Sequence, residues 1–155
     1  MTIIGIDPGI AIVGYAIVTG SKRSPIIQDY GVLTTPVLED ARTNERLLEI
    51  YNDLDSILDK YRPDVGVVEK LFFFQNQKTI IQVAQARGVI LTLLAKYNVK
   101  LIEPTPLQIK QSIAGYGRAT KNQMKTLMQR LYKLEHTISV DDAADALAMG
   151  YYELR

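Results

Sequence analysis

The amino-acid sequence predicts an α/β fold in which a mixed five-stranded sheet is flanked by helices. Two observations predict it. Short apolar runs of strand length alternate with longer segments whose apolar residues recur at helical spacing, and their order is three strands, helix, strand, helix, strand and then helices. The 155 residues fit a single domain, residues 1–155, which is long enough to bury a core without disulfide bonds.

Three strands open the chain, and we expect them to form an antiparallel meander. The first covers residues 1–7 and ends at Asp7, because the Pro8-Gly9 pair that follows favours a turn. Residues 14–19 and 30–35 are the next two strands, and the turn-rich segment 20–25 separates them.

A helix, a strand and a second helix follow. Residues 42–61 have apolar side chains at helical spacing on one side and acids on the other, which predicts an amphipathic helix. Residues 65–69 are an apolar strand that we expect to be central, because both of its faces are apolar. Residues 77–97 form a helix that is apolar nearly all round. Such a helix buries both sides, either under its own chain or with one face on a partner subunit.

The last third of the chain predicts a strand over residues 100–103 and a short helix over 106–113. A basic helix over 120–133 follows, with Thr120 as its N-cap. The final helix starts at residue 139 or 141 and runs to the end of the sequence.

The net charge of +1 conceals a strongly basic segment. Residues 1–69 carry a net charge of −5, residues 70–133 one of +10, and residues 134–155 one of −4. The middle segment holds eleven Lys and Arg residues against one acid, Glu103. Ordinary protein surfaces mix the two signs, so we expect this segment to bind a polyanion.

The composition also excludes several classes of protein. The absence of cysteine and the presence of one histidine, His136, leave no thiolate site and little basis for zinc chemistry. No apolar run reaches the roughly 18 residues of a membrane-spanning helix, and the N-terminus does not resemble a secretory signal peptide. We therefore expect no membrane contact and a cytoplasmic location, which a cysteine-free chain suits.

Four acidic residues stand where carboxylates are costly. Asp7 and Glu69 each end an apolar strand, and functional sites collect at strand ends in α/β sheets. Asp142 and Asp145 are three residues apart, which puts them on one face of the last helix. Each acid also has an ordinary alternative: a turn former, a salt-bridge partner or, at residues 141 and 142, a helix cap. Together with the basic segment, the four favour a functional site.

Clustered carboxylates without Cys or His are hard oxygen ligands, the set that suits Mg²⁺ or Mn²⁺. Two such ions can activate a water and stabilise a leaving oxygen when a phosphodiester is hydrolysed. The basic segment would supply phosphate contacts, so these residues indicate metal-dependent phosphodiester hydrolysis.

The sequence resembles the RuvC family of Holliday-junction resolvases. Six stretches carry the resemblance, in the family's order and over nearly all of the chain. They are GIDPG (5–9), GYAIV (14–18), VVEKLFF (67–73), QARGV (85–89), PLQIKQSIAGYGRATKNQM (106–124) and DAADALA (142–148). The resemblance implies a ribonuclease H-like fold, a homodimer and a Mg²⁺-dependent endonuclease that nicks a four-way DNA junction symmetrically in two strands. It also suggests a RuvA–RuvB branch-migration complex as a partner.

The resemblance assigns the four acids as a catalytic set holding two Mg²⁺ ions, for which Mn²⁺ can substitute. The set is Asp7, Glu69, Asp142 and Asp145. Asp141 offers a second register, i,i+4 with Asp145, but the match of the DAAD stretch favours Asp142 and leaves Asp141 as a cap or an outer residue.

DNA contacts are predicted from both the resemblance and the basic segment. Lys110 and Lys121 match basic positions near the scissile phosphate, and Lys121 is expected to assist catalysis by neutralising charge there. Phe72 matches an aromatic that stacks on an unpaired base at the crossover. The basic segment adds Lys78, Arg118 and Lys125.

The predicted dimer interface lies on the apolar helix 77–97. Gly88 would allow a neighbouring backbone to approach closely, and Arg87 and Leu91 are the other predicted interface residues.

Three alternatives stay open at the level of sequence. A non-catalytic junction-binding module of the same fold is disfavoured because all four carboxylates are present. A sugar-kinase or actin-like ATPase also begins with a strand that ends in Asp-x-Gly, but that class needs two such domains. The YqgF-type family shares the fold and an early Asp, whereas DAADALA and QARGV favour RuvC.

Overall fold

The computed structural model describes residues 1–35, 42–70 and 80–155. The strands are β1 (Ile3–Asp7), β2 (Ile12–Ser21), β3 (Ser24–Thr34), β4 (Val65–Val68) and β5 (Lys100–Ile102). The helices are α1 (Thr43–Tyr61), α2 (Ile80–Lys96), α3 (Pro106–Ala114), α4 (Lys121–Leu131) and α5 (Asp141–Glu153).

The five strands form one mixed sheet in the order β3-β2-β1-β4-β5. The first three strands pair antiparallel, while β4 pairs parallel with β1 and β5 parallel with β4. The predicted meander with two further strands is therefore confirmed. All four residues of β4 are buried, as expected for a strand inside the sheet.

The hairpin of β2 and β3 is longer than predicted. Its ladder runs from the Ile12–Thr34 pair to the Ser21–Ser24 pair, so most of segment 20–25 is strand and not turn. The predicted turn over 20–25 is thus confined to Lys22 and Arg23, although Gly, Ser and Pro around them are residues typical of turns. Since β3 lies at the edge of the sheet, a proline there need not remove a ladder hydrogen bond.

Alternation along the strands decides which side chains face which helices. Ile4 and Ile6 of β1 pack in a core with α1 and α2, whereas Ile3 packs in a second core that contains α5. Every second residue of a strand faces the same side of the sheet. Asp7 therefore lies on the same face as Ile3, and Glu69 lies on the same face as Val65 and Val67, which belong to the α5 core. Both acids therefore leave the sheet on the face that α5 covers.

Two glycines allow α5 to lie directly on the sheet. A Cβ atom on Gly5 would come within 2.1 Å of the Ala146 carbonyl oxygen, and one on Gly14 within 2.0 Å of the Asp142 carbonyl oxygen. Because neither position carries a side chain, the backbone of α5 contacts β1 and β2. This close approach sets how far Asp142 and Asp145 stand from the strand ends.

Helix α2 is packed on one side only by the described part of the chain. Ala86, Ile90 and Leu93 are buried in the core with α1 and the sheet. On the other side, Ile81 is 70% exposed, and a Cβ on Gly88 would meet none of the described atoms within 4 Å. Of the two alternatives for this helix, cover by its own chain is not seen in residues 1–35, 42–70 and 80–155.

The helix caps are partly as predicted. Thr120 caps α4, and its side chain and that of Gln123 form a reciprocal capping box. Helix α5 begins at Asp141 with Val140 at the N-cap and no side-chain cap hydrogen bond, while Asp141 and Asp142 lie in its first turn, where acids complement the helix dipole. Among the helices of the described ranges, none is long and apolar enough to span a membrane.

Candidate active site

Asp7 and Glu69 stand next to each other because β1 and β4 run parallel. The register pairs Ile6 with Val68, so the residues that follow, Asp7 and Glu69, both lie at the carboxyl ends of their strands, on the same side of the sheet. Neighbouring strands are about 4.8 Å apart, which brings the two carboxylates close together on the α5 face.

Helix α5 adds a third carboxylate, and α3 and α4 add two cations. Asp7, Glu69 and Asp145 line one cavity of about 300 Å³ together with Lys110 and Lys121. The rest of its lining is apolar and consists of Pro106, Ile109, Met124, Ala148 and Met149. We refer to this space as the acidic cavity.

The carboxylates of the acidic cavity repel one another in a partly desolvated space. Burial raises the pKa of Asp7 well above its ordinary value, and the charges of Asp145, Asp142 and Glu69 raise it further. Burial, and after it the charge of Asp145, raises the pKa of Glu69 to about 6. The site therefore holds more negative charge than its own side chains neutralise.

Lys121 pairs with two acids of α5. Its Nζ lies 3.5 Å from Oδ2 of Asp145 and 3.6 Å from Oδ2 of Asp141. Burial opposes the charged form of Lys121, but these carboxylates outweigh it and raise the pKa of the amine. For Asp145, burial raises the pKa more than Lys121 lowers it. Lys121 thus stays charged beside the cavity.

The structure separates Asp141 from Asp142. Asp141 is exposed and accepts a hydrogen bond of 3.1 Å from Nζ of Lys125, which lowers the pKa of Asp141. Asp142 is half-buried and is not among the described residues that line the cavity, yet its charge helps to raise the pKa of Asp7. The charge of Asp142 thus acts on both Asp7 and Asp145, whereas Asp141 acts on Asp145 and Lys121 but not on Asp7.

A divalent cation suits this donor set. The cavity offers carboxylate oxygens, which are the ligands that Mg²⁺ and Mn²⁺ prefer, and the repulsion that raises the pKa of Asp7 and Glu69 would be relieved by such an ion. Across the ranges that the structure describes, no three acidic or imidazole groups stand close enough to form a ready-made metal group.

The predicted DNA-contacting residues lie in different places. Lys110 and Lys121 line the acidic cavity. Arg118 is exposed in the loop before α4, and Lys125 of α4 is paired with Asp141. Phe72 and Lys78 lie outside the described residues.

The three predicted interface residues of α2 differ in their surroundings. Gly88 is exposed and Leu91 is partly buried. Arg87, in contrast, forms an ion pair with Glu103 inside the chain, and 15% of its side chain is exposed. The structure thus accounts for Arg87 without an interface. Sequence reasoning missed the part played by Glu103, and the available signal was that it is the only acid among residues 70–133.

Comparison with known proteins gives a consistent result. A family model described as crossover junction endodeoxyribonuclease RuvC matches residues 3–151. The protein of that name from Fusobacterium nucleatum is 48% identical to this chain over 149 residues, which are 96% of this chain and 77% of the relative. The one from Halothermothrix orenii is 46% identical over 150 residues, which are 97% and 90% of the two chains.

A solved structure is also similar over almost the whole chain. It is that of Thermus thermophilus RuvC in complex with a Holliday junction substrate, with a TM-score of 0.90 at 27% identity. The match covers 98% of this chain and 92% of that one. This similarity confirms the ribonuclease H-like fold that the sequence resemblance implies.

Proposed function

Because the chain belongs to the RuvC family of crossover junction endodeoxyribonucleases, we propose that its acidic cavity cuts four-way DNA junctions by hydrolysing one phosphodiester in each of two strands. One observation carries the proposal: three carboxylates and two lysines from four separate elements and the end of β4 converge on a single cavity. The carboxylates suit a metal ion, and the lysines suit a phosphate.

The metal of the proposed reaction is Mg²⁺, two ions per site, with Mn²⁺ as a substitute. The residues that hold it are Asp7, Glu69, Asp142 and Asp145. When bound, such ions activate the attacking water and stabilise the leaving oxygen. The burial that raises the pKa of Asp7 also limits water around the site, so the field of each charge there is strong.

The lysines act on the phosphate. Lys121 stays protonated because of Asp145 and Asp141, so it carries a positive charge at the side of the cavity nearest α4. Lys110 lines the same cavity from α3 and lowers the pKa of Glu69. Together they neutralise negative charge on the scissile phosphate, while Arg118 and Lys125 extend the basic surface. Hydrolysis by water needs no covalent intermediate with the enzyme.

A homodimer is the assembly that the exposed face of α2 supports. Between residues 80 and 95 the only charged side chain is Arg87, which turns inward to Glu103. The outward face carries Ile81, Ala84 and Gly88, and a Cβ on Gly88 would meet none of the described atoms within 4 Å, which suits the approach of another backbone. Two subunits joined along α2 would present two cavities to the two strands that are cut. Contact with a RuvA–RuvB complex stays a prediction of the resemblance.

A synthetic mobile four-way junction tests the nuclease. We expect paired, symmetrical nicks with Mg²⁺ or Mn²⁺ and binding without nicks when Ca²⁺ or no metal is added. Asp7→Asn should bind the junction and lose cutting. Cutting without added metal would contradict the metal mechanism, and a wild-type protein that binds but never cuts would favour a non-catalytic module.

Sedimentation velocity tests the dimer separately. Gly88→Glu places a charge on the exposed face of α2 and should convert a dimer to a monomer with little change in thermal stability. A matched change, Thr43→Glu at the start of α1, should leave the dimer intact. A monomeric wild-type protein at micromolar concentration would refute the dimer.

A further inference from the structure

Arg87 connects three parts of the chain beside the acidic cavity. It belongs to α2, its guanidinium is ion-paired with the carboxylate of Glu103 just after β5, and its Nε donates to the carbonyl oxygen of Glu69 at 3.4 Å. The exposed fractions are 15% for the Arg87 side chain and 35% for that of Glu103. The pair is thus more enclosed than an ordinary surface ion pair.

A second link lies next to the first. The amide of Lys70 donates to the carbonyl oxygen of Pro104 at 3.0 Å. The regular ladder between β4 and β5 has already ended, because its last pair joins Val67 to Ile102. The β1–β4 ladder ends one residue before Glu69, at the Ile6–Val68 pair, and beyond it Arg87 and the Lys70–Pro104 hydrogen bond hold the backbone.

The sequence sets Arg87 and Glu103 apart from the mixed charges of an ordinary protein surface. Glu103 is the only acid among residues 70–133, and Arg87 is the only charged residue between positions 80 and 95. Two isolated charges of opposite sign, far apart in sequence, meet at the backbone of one cavity acid.

We propose that Arg87, held by Glu103, is a positioning residue that fixes the carboxylate of Glu69 for metal binding. The proposal rests on the function proposed above for the acidic cavity. Arg87 does not line the cavity in the described structure and acts through the backbone of Glu69. The planar guanidinium can reach the Glu103 carboxylate and the Glu69 carbonyl at once, which a lysine ammonium cannot reproduce.

Metal binding to the full chain without DNA tests the proposal. Calorimetric titration with Mn²⁺ is compared for the wild type, Arg87→Lys and Glu103→Gln. We expect the Mn²⁺ dissociation constant to rise about tenfold or more in both variants, as is usual when a group that orients a metal ligand is lost. The Mg²⁺ concentration for half-maximal junction cutting should rise in parallel, and saturating Mg²⁺ should restore most of the rate.

Lys96→Gln is the matched control. It removes another ion pair of α2, that of Lys96 with Asp55 at 2.7 Å, which is exposed and joins α2 to α1. We expect its Mn²⁺ affinity to equal that of the wild type. An Arg87→Lys or Glu103→Gln protein with wild-type Mn²⁺ affinity and only lowered thermal stability would overturn the proposal. Glu103→Gln decides the matter alone if Arg87→Lys does not fold.

Failure of the proposed function would look different. In that case Glu69→Gln itself would cut junctions at the wild-type rate. If Glu69→Gln is inactive and the metal affinity of both positioning variants is unchanged, only the role of Arg87 is refuted.

Discussion

At the scale of single residues, the acidic cavity is under electrostatic strain when no metal is bound. Burial raises the pKa of Glu69 from its ordinary value of 4.5 to about 6. A carboxyl whose pKa is higher in the folded than in the unfolded chain stabilises the fold while it is protonated. This contribution is complete below about pH 4.5 and is lost as the pH rises through about 6.

Glu69→Gln should therefore stabilise the metal-free protein at neutral pH. With allowance for the partial exposure of Glu69, we expect a gain of about 1 kcal/mol in the free energy of unfolding at pH 7, or roughly 2–4 °C in Tm. The gain should vanish near pH 4, as thermal unfolding in EDTA can measure. Asp55→Asn is the control, because Lys96 lowers the pKa of that exposed carboxyl and its loss brings no gain. A lower stability of Glu69→Gln at pH 7 would contradict the expected strain.

All three acids that line the cavity, Asp7, Glu69 and Asp145, were candidates in the sequence. Asp7 and Glu69 follow from apolar strands that end in an acid, and Asp145 follows from its place on an otherwise apolar helix face. The sequence does not reveal that Asp145 lines the cavity while Asp142 stands beside it, because two residues three apart share a helix face. Their difference depends on how α5 is rotated against the sheet.

At the scale of elements, the contact of α5 with β1 and β2 positions the acids. Gly5→Ala would place a Cβ atom 2.1 Å from the Ala146 carbonyl oxygen and 2.6 Å from the Gly150 amide nitrogen, so the helix must move. We expect a loss of about 1–3 kcal/mol in the free energy of unfolding from this overpacking. A shift of about 1 Å at the acids can lower the cutting rate roughly a hundredfold. Urea unfolding and junction cutting measure the two effects.

Gly31→Ala is the matched control for that substitution. It lies in the same sheet, on β3, where the new Cβ atom would meet the Tyr15 ring at 3.3 Å and not a helix backbone. A small loss of stability and near-normal cutting are expected. If Gly5→Ala cut junctions as fast as Gly31→Ala, the close packing of α5 would not be what positions the acids.

Two elements show why local patterns were insufficient. The hairpin of β2 and β3 extends through Pro25 because the edge position of β3 is a property of the sheet and not of the local sequence. For the apolar helix over 77–97, the sequence allows cover either by its own chain or by a partner subunit. The structure leaves one face of α2 exposed within the described residues. Strand order and helix cover are set by contacts between distant parts of the chain.

At the scale of the whole molecule, charge is distributed very unevenly. Residues 70–133 carry a net charge of +10, and the flanking segments carry −5 and −4. Several of the flanking acids, Asp7, Glu69 and Asp145, line the cavity with Lys110 and Lys121, so the neutral total says little about the DNA-binding surface. A bound divalent cation would make this surface more positive.

Junction binding should therefore depend steeply on salt despite the net charge of +1. Each neutralised phosphate contributes a slope of about −0.9 to the logarithm of the association constant against that of salt concentration. Lys110→Ala should reduce the slope by about 1, whereas Lys60→Ala, on α1, should not change it. Titration of a labelled junction in EDTA at several salt concentrations measures both. A flat dependence for the wild type would contradict a basic docking surface.

The most direct test that the acidic cavity is the nuclease site compares two acids of α5, Asp145 and Asp141. Single-turnover cutting of a mobile four-way junction with Mg²⁺ is measured for Asp145→Asn and Asp141→Asn, with junction binding in Ca²⁺ as a check on folding. Asp145 lines the acidic cavity and Asp141 does not, so we predict a loss of roughly a thousandfold, about 4 kcal/mol, for Asp145→Asn and little change for Asp141→Asn. Wild-type cutting by a junction-binding Asp145→Asn protein would contradict the assignment of the cavity as the nuclease site.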